Sequence, residues 1–386
     1  MAVRLRSERI VCPDGTLAGE VVVEHGQISS VGRVANEAGG RAAREGDELV
    51  ELGDRWIVPG YIDLHVHGGG GGQCNTSKVE EIAEVAGFHA RHGTTGLLAT
   101  TVAAPVEDLC DALAAIARCT APNLLGAHLE GPFLSREWPG AMNPSLLLDP
   151  DLRQLERLLA AGAGRIRLMT LAPELPGALE LVKQLARAKV VVSIGHTGAT
   201  DAEVREAVRA GATAATHAFN AMPPFHHRRP GAAGAVIDQR EVSCELICDG
   251  FHVDPVAMRL LLRAKGTPGI RLATDAMKAA GMPDGEYELG GRPVTVTGGR
   301  PVLAGGDSIA GSTLTMEAAV QNAIRFLGVS VEEAMLISST NSARLLGLHE
   351  CKGAISAGLD ANLLVLNELL AVQGTMIAGR WVAGPP

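Results

Sequence analysis

The stretch Pro59-Gly60-Tyr61-Ile62-Asp63-Leu64-His65-Val66-His67-Gly68 decides how the rest of the chain is read. An apolar run ends in two histidines two residues apart, and glycines at 68–72 follow. Side chains at i and i+2 of a strand share a face. Asp63, His65 and His67 are therefore expected to point the same way, at the end of a strand that the glycine loop terminates. Two imidazoles side by side at a strand end suit a metal ion. A pair of hydrogen-bonded surface histidines would have the same spelling, and the remainder of the chain chooses between the two.

Working outward, strand-like apolar runs are expected at 62–65, 96–101, 124–129, 166–171, 190–194, 212–217, 242–248 and 270–274. Segments with helical spacing lie between most of them. Ser77-Lys78-Val79-Glu80 reads as a capping box before the stripe Val79, Ile82, Ala83 and Ala86, which Gly93 closes. Thr200-Asp201-Ala202-Glu203 opens another helix, closed by Gly211, and Ser330-Val331-Glu332-Glu333 a further one. Eight strands alternating with helices predict a parallel (β/α)₈ TIM barrel. An open doubly wound sheet would usually carry a phosphate loop or dinucleotide fingerprint. The run 68–72 is neither, because no Gly-Lys-Ser/Thr follows it; its glycines read as letting the backbone approach a site closely.

Residues 1–58 read as short strands about a His25-Gly26 turn, with an exposed Gly/Ala/Arg loop at 35–46. The runs 361–366 and 375–382 are strand-like again. Neither end can bury a core alone, and chain ends commonly lie together. The expected fold class is thus α/β: a (β/α)₈ barrel over 59–351 and a small β-sandwich domain built from 1–58 plus 352–386.

Composition narrows the function. The 386 residues are 46% apolar with a net charge of -9, which argues against a general nucleic-acid binder. Aromatics at 3% leave little for base stacking. No window reaches the roughly 18 to 20 apolar residues of a membrane span, and no apolar segment follows Met1-Ala2-Val3-Arg4-Leu5-Arg6 as in a signal peptide. Seven scattered cysteines form no disulfide framework. A cytoplasmic enzyme with reduced thiols is expected.

Barrels of this kind carry their sites at the C-terminal ends of the strands. Strand 1 ends in His65 and His67, strand 3 in Glu130, strand 5 in His196, strand 6 in His217 and strand 8 in Asp275, while strand 7 runs out into Asp249-Gly250-Phe251-His252. Any one of these has an innocent explanation, such as a rim histidine or a helix cap. A ring of them at the strand ends, with no Lys or Arg interleaved, calls for a cation, because buried charge is costly unless paired or bound to metal. Histidine with carboxylate and no thiolate suits a divalent ion, Zn²⁺ first, with Fe²⁺, Mn²⁺ and Co²⁺ as alternatives. One or two such ions would activate water and polarise a carbonyl. Asp275 is the candidate proton carrier, and His252 the candidate donor to a carbonyl oxygen. The run His226-His227-Arg228-Arg229 offers cationic donors in an acidic chain.

On these residues the chain resembles the amidohydrolase superfamily and, within it, the N-acetylglucosamine-6-phosphate deacetylase family. The resemblance spans nearly the whole length. The opening Pro59-Gly60-x-Ile62-Asp63-x-His65-x-His67-Gly68 is common to the superfamily. More specific are His128-Leu129-Glu130-Gly131-Pro132-Phe133, Gly195-His196-Thr197, Thr216-His217-x-Phe219-Asn220-Ala221-Met222, Asp249-Gly250-x-His252-Val253, Ala273-Thr274-Asp275-Ala276 and Gly311-Ser312-Thr313. The resemblance implies that Glu130, His196 and His217 hold one metal, and that His65 and His67, sharing Glu130, hold a second. Glu130 would stand where many relatives have a carboxylated lysine. It implies Asp275 as general base and acid. Asn220, Ala221 and Arg228 would bind an amino sugar phosphate, Arg228 from the neighbouring subunit of a homodimer, and Ile309, Ala310 and Gly311 would line the sugar and acyl pocket. One departure stands out. In Gly140-Ala141-Met142-Asn143-Pro144 the family places a polar residue where Met142 stands, and Met142 donates no hydrogen bond. The substrate implied is N-acetyl-D-glucosamine 6-phosphate. The alternatives weighed are another N-acyl hexosamine such as N-acetylgalactosamine 6-phosphate, a cyclic amidase or D-aminoacylase, and a non-catalytic barrel.

Overall fold

Every expected barrel strand forms in a computed structural model, which describes residues 2–33, 44 and 46–384. They are β1 (Tyr61–Val66), β2 (Thr94–Thr101), β3 (Leu124–Glu130), β4 (Ile166–Leu171), β5 (Val191–Ile194), β6 (Ala212–Ala215), β7 (Ser243–Ile247) and β8 (Ile270–Ala273). Neighbours pair in parallel in that order. The ring closes between β8 and β1. There the Asp275 N–H donates to His65 O at 2.9 Å and the His67 N–H to Ala276 O at 2.8 Å. The surrounding helices are α1 (Val79–Arg91), α2 (Val106–Arg118), α3 (Leu152–Ala161), α4 (Ala178–Arg187), α5 (Asp201–Ala210), α6 (Gly231–Asp238), α7 (Pro255–Lys265) and α8 (Met316–Leu327). Leu109, Leu113 and Ile116 of α2, and Leu181, Val182 and Leu185 of α4, bury their apolar stripes in the same cluster as strand residues such as Met169 and Val192.

The capping boxes expected at Thr200 and Ser330 are present, each with a reciprocal Glu side chain. The one expected at Ser77 is not. The N-cap of α1 is Lys78 and makes no side-chain bond. Thr76 holds the turn instead, its Oγ1 donating to Glu81 at 2.8 Å and accepting from the Lys78 N–H at 3.2 Å.

The chain ends meet as expected. Strands Val3–Cys12, Gly15–Glu24, Gln27–Gly32, Glu48–Glu51 and Trp56–Pro59 share one sheet with Leu363–Leu366, Val372–Ile377 and Arg380–Ala383. The two termini are stitched where Trp56–Pro59 pairs antiparallel with Leu363–Leu366. Alternation sorts their side chains. Ile57, Leu363 and Val365 face a core of their own with Leu5, Val21 and Ile28, whereas Val58, Leu364 and Leu366 join the barrel's cluster. The small domain is thus one continuous sheet with its own core on one face and the barrel on the other. Most of the loop expected at 35–46 lies outside the described residues.

Two features differ from expectation. The glycine run packs on α1 and does not line the catalytic-face cavity: a Cβ on Gly69 would meet Phe88 Cδ1 at 2.6 Å and His89 Nε2 at 2.8 Å. Between β8 and α8 there is also an unforeseen three-stranded antiparallel sheet, Gly285–Leu289, Arg292–Thr297 and Arg300–Leu303. Its turns are Gly290-Gly291 and Gly298-Gly299, all at positive φ, as tight hairpin turns require. Among the described residues no helix is long and apolar enough to cross a membrane.

Candidate metal centre and active site

The side chains that end the strands converge on one place at the barrel mouth. His65, His67 and Asp275 form one group whose ligand atoms all lie within 4.8 Å of one another; Glu130, His196 and His217 form a second. Glu130 joins them. Its Oε1 lies 3.1 Å from Nε2 of both His196 and His217 and 3.5 Å from His65 Nε2, while its Oε2 lies 3.2 Å from His67 Nε2. Asp275 Oδ1 lies 3.4 Å from His65 Nε2 and 3.2 Å from His67 Nε2. All six residues are buried.

The chemistry of this donor set fits a divalent cation. His65 Nδ1 faces Glu245 Oε1 at 2.6 Å, His67 Nδ1 faces Thr100 O at 3.2 Å, and His196 Nδ1 faces Trp138 O at 3.1 Å. Each Nδ1 meets an acceptor, so in the neutral ring Nε2 bears the lone pair, and these lone pairs aim at a common region. Burial disfavours charge on His65, but Glu130, Glu245 and Asp275 outweigh it and hold its pKa well above the ordinary value. Burial likewise opposes His67, yet hydrogen bonds to Asp275 and Glu130 raise it to about 9. Against its own burial, Glu130 is held well below the carboxylate range by His65 and His196. The carboxylates thus draw positive charge to this spot, which a metal ion also supplies.

A cavity of about 300 Å³ opens over the groups. His67, Glu130, His196, His217, His252 and Asp275 line its floor and wall. Asn220, Ala221, Ile309 and Gly311 line the remainder with the loop Gly140 to Asn143, and Leu289 and Gly290 of the extra hairpin reach its edge. His252 Nδ1 lies 2.7 Å from Asp249 Oδ2, which fixes the ring at the cavity wall and leaves Nε2 free of that bond. Met142 is buried against Val102, Ala103, Leu134 and Leu289, and its Sδ accepts from the Ala103 N–H at 3.4 Å. Asn143 Oδ1 is engaged locally with Ser145. The 140s loop is tied to the hairpin by Arg292, whose Nη1 donates to the carbonyls of Ala141 and Met142 at 3.4 and 3.2 Å.

His65 stays within its ligand group, fully buried, without lining the cavity itself. Two expected residues lie elsewhere. Ala310 turns into the apolar cluster beneath the hairpin, with Met277, Val294 and Val296. Arg228 is exposed on the loop after β6 and does not reach its own chain's cavity. One layer below the strand ends, which the reading of the ring did not cover, Arg271 is wholly buried beside Glu245. Neither Glu245 nor Arg271 was singled out from the sequence. The signal was there: a lone charge inside an apolar run, Cys244-Glu245-Leu246 and Ile270-Arg271-Leu272, in strands covered on both faces. Glu174 was also missed; it accepts from Thr197 Oγ1 at 2.5 Å and from the Gly198 N–H at 2.6 Å, fixing the turn after His196.

A parallel barrel with two His/carboxylate groups at its mouth and a sheet made from both chain ends defines a class of metal-dependent hydrolase, and residues 56–382 match the family model described as Amidohydrolase family. The chain belongs to the amidohydrolase family. It is 37% identical to the N-acetylglucosamine-6-phosphate deacetylase of Lysinibacillus sphaericus, over 87% of this chain and 88% of that protein. It is 39% identical to the N-acetylgalactosamine-6-phosphate deacetylase of Escherichia coli O157:H7, over 84% and 87%. A variant of N-acetyl-D-glucosamine-6-phosphate deacetylase from Mycobacterium smegmatis, solved in complex with N-acetyl-D-glucosamine-6-phosphate, superposes with a TM-score of 0.93 at 38% identity, covering 99% of this chain and 100% of that one.

Proposed function

We propose that this protein hydrolyses the amide of N-acetyl-D-glucosamine 6-phosphate, giving D-glucosamine 6-phosphate and acetate. The observation that carries the reading is Glu130 bridging two ligand groups on the floor of a cavity walled by Asp275 and His252, in a chain similar over most of its length to deacetylases of N-acetylhexosamine 6-phosphates. We assign Glu130, His196 and His217 to one ion and His65 and His67, beside the shared Glu130, to a second, with zinc as the metal. Such ions lower the pKa of a bound water and polarise an amide carbonyl.

The chain's own groups do the rest. Asp275 takes a proton from the attacking water and delivers it to the nitrogen of the leaving amine. His252, held by Asp249 at the cavity wall, is assigned to donate to the carbonyl oxygen as charge develops there. Asn220, Ala221, Ile309 and Gly311 surround the sugar and acyl group. The phosphate is assigned to Arg228 of a second copy in a homodimer. Its support is that the residue stands exposed in the cationic run 226–229, a few positions from the cavity residues Asn220 and Ala221. Residues 59–351 are taken as the catalytic unit. A cytoplasmic location is in keeping with seven free cysteines.

The galacto epimer is a second reading, favoured by the 39% identity to the Escherichia coli enzyme. Acetate release from a panel of N-acyl hexosamines, with and without the 6-phosphate, using zinc-reconstituted protein, separates them. N-acetyl-D-glucosamine 6-phosphate is expected to have the highest kcat/KM. A higher value for the galacto epimer would move the assignment to that sugar, and no acetate from any phosphorylated hexosamine would overturn it.

A further inference from the structure

Beneath the ligands lies an ion pair with no contact to the cavity. Glu245, in the middle of β7, and Arg271, its register partner on β8, are both wholly buried. Arg271 Nη2 donates to Glu245 Oε2 at 3.2 Å and Nη1 to Ser243 O at 2.7 Å. Glu245 Oε1 faces His65 Nδ1 at 2.6 Å and accepts from the His217 N–H at 3.3 Å. One carboxylate therefore touches a residue from each ligand group.

A guanidinium is always charged, and a buried cation demands an anion beside it. Glu245 is that anion, and a carboxylate only accepts. The proton of a neutral His65 ring must then sit on Nδ1, which leaves the lone pair on Nε2. That atom lies 3.0 Å from His67 Nε2, 3.4 Å from Asp275 Oδ1 and 3.5 Å from Glu130 Oε1. We infer that Glu245, anchored by Arg271, is a positioning residue that sets the tautomer and orientation of His65 as a metal ligand, and that it governs uptake of the ion on the His65–His67 side. The inference rests on the metal reading of the site.

The glutamine variant separates charge from size. In Glu245→Gln the amide oxygen stays with the Arg271 guanidinium, so the NH2 faces His65, where it donates to Nδ1 and leaves the ring proton on Nε2. Metal content by elemental analysis, and affinity by competition with a chelator, are measured on zinc-reconstituted full-length protein. Glu245→Gln is expected to weaken one of two ions by about 10- to 100-fold, while the other ion and the far-ultraviolet circular dichroism stay as in wild type. In a His65→Ala background the same change is expected to add nothing, because the residue acts through His65. Should Glu245→Gln fail to fold, the pair Glu245→Leu with Arg271→Met removes both charges together and carries the same measurement. Two ions bound with wild-type affinity, or an effect that adds in full to His65→Ala, would overturn the inference. Wild-type protein that takes up no ion would overturn the metal reading itself.

Discussion

His196, His217 and Asp275 share an uncommon backbone, with φ of 49°, 28° and 52°. Each lies two residues beyond its strand, where the chain turns and its side chain joins the ligand groups. Such conformations cost of order 1–3 kcal/mol each, so the fold carries stored strain where the polar groups gather. Asp275 is the member reached by both histidines of the first group, and its assigned work is proton transfer. Asp275→Asn is therefore expected to lower kcat by roughly 10²- to 10⁴-fold while the metal content of reconstituted protein on the Glu130–His196–His217 side stays as in wild type. Steady-state kinetics with metal analysis on one preparation checks this, and near-normal turnover would remove Asp275 from its role. These strand-end residues were legible because a polar side chain that stops an apolar run is visible by inspection. Glu245 and Arg271 carried a comparable signal, but their meaning lies in pairing across strands 26 residues apart, and spacing along one chain does not reveal which charge meets which.

At the scale of elements, α1 is the clamp for the loop that follows His67. His89 on this helix is fully buried, and its Nε2 lies 2.9 Å from Gly68 O. Burial holds its pKa down at about 4, against 6.5 ordinarily. The unfolded chain therefore takes up this proton first as pH falls. The stability that follows from a neutral His89 is complete above about 6.5 and is lost as pH drops toward about 4, about 3 kcal/mol at most. His89→Gln keeps a donor for Gly68 O but cannot titrate, so its Tm is expected to depend less on pH between 4 and 6.5 than that of wild type. Parallel Tm–pH curves for the two proteins would dismiss the clamp's titration as a contributor. The helix itself was readable from its stripe, but its start was not, because Thr76, Ser77 and Lys78 all precede the stripe and only the fold shows that Lys78 is the N-cap while Thr76 holds the turn. The hairpin sheet at 285–303 had readable signals, two Gly-Gly pairs between runs of alternating polarity, yet nothing local says that it would bend back to tie the 140s loop.

For the whole molecule, the sheet made from both ends shares its outer face with the barrel. Leu364 belongs to the barrel's apolar cluster, and its side chain closes on Gly93, where an added Cβ would lie 2.9 Å from both Leu364 Cδ1 and Tyr61 Cδ2. Barrel and sheet should then unfold together. Leu364→Ala is expected to cost about 2–5 kcal/mol and to lower one shared calorimetric transition; a trace that splits into two would show independent units. That both ends join was inferable, since neither could bury a core alone, but the continuity of the sheet depends on register between Trp56–Pro59 and Leu363–Leu366, which distant segments do not advertise.

The seam between β8 and β1 has a consequence in time. Thr274 Oγ1 donates to Asp63 Oδ2 at 2.6 Å across 211 positions of chain, and the neighbouring backbone bond runs from Asp275 to His65. The last strand of the barrel must leave the ribosome before the His65–His67–Asp275 side exists at all. A polypeptide that stops before β8 therefore lacks Asp275 and the closed seam, and the His65–His67–Asp275 group marks a chain whose last barrel strand has been made and docked.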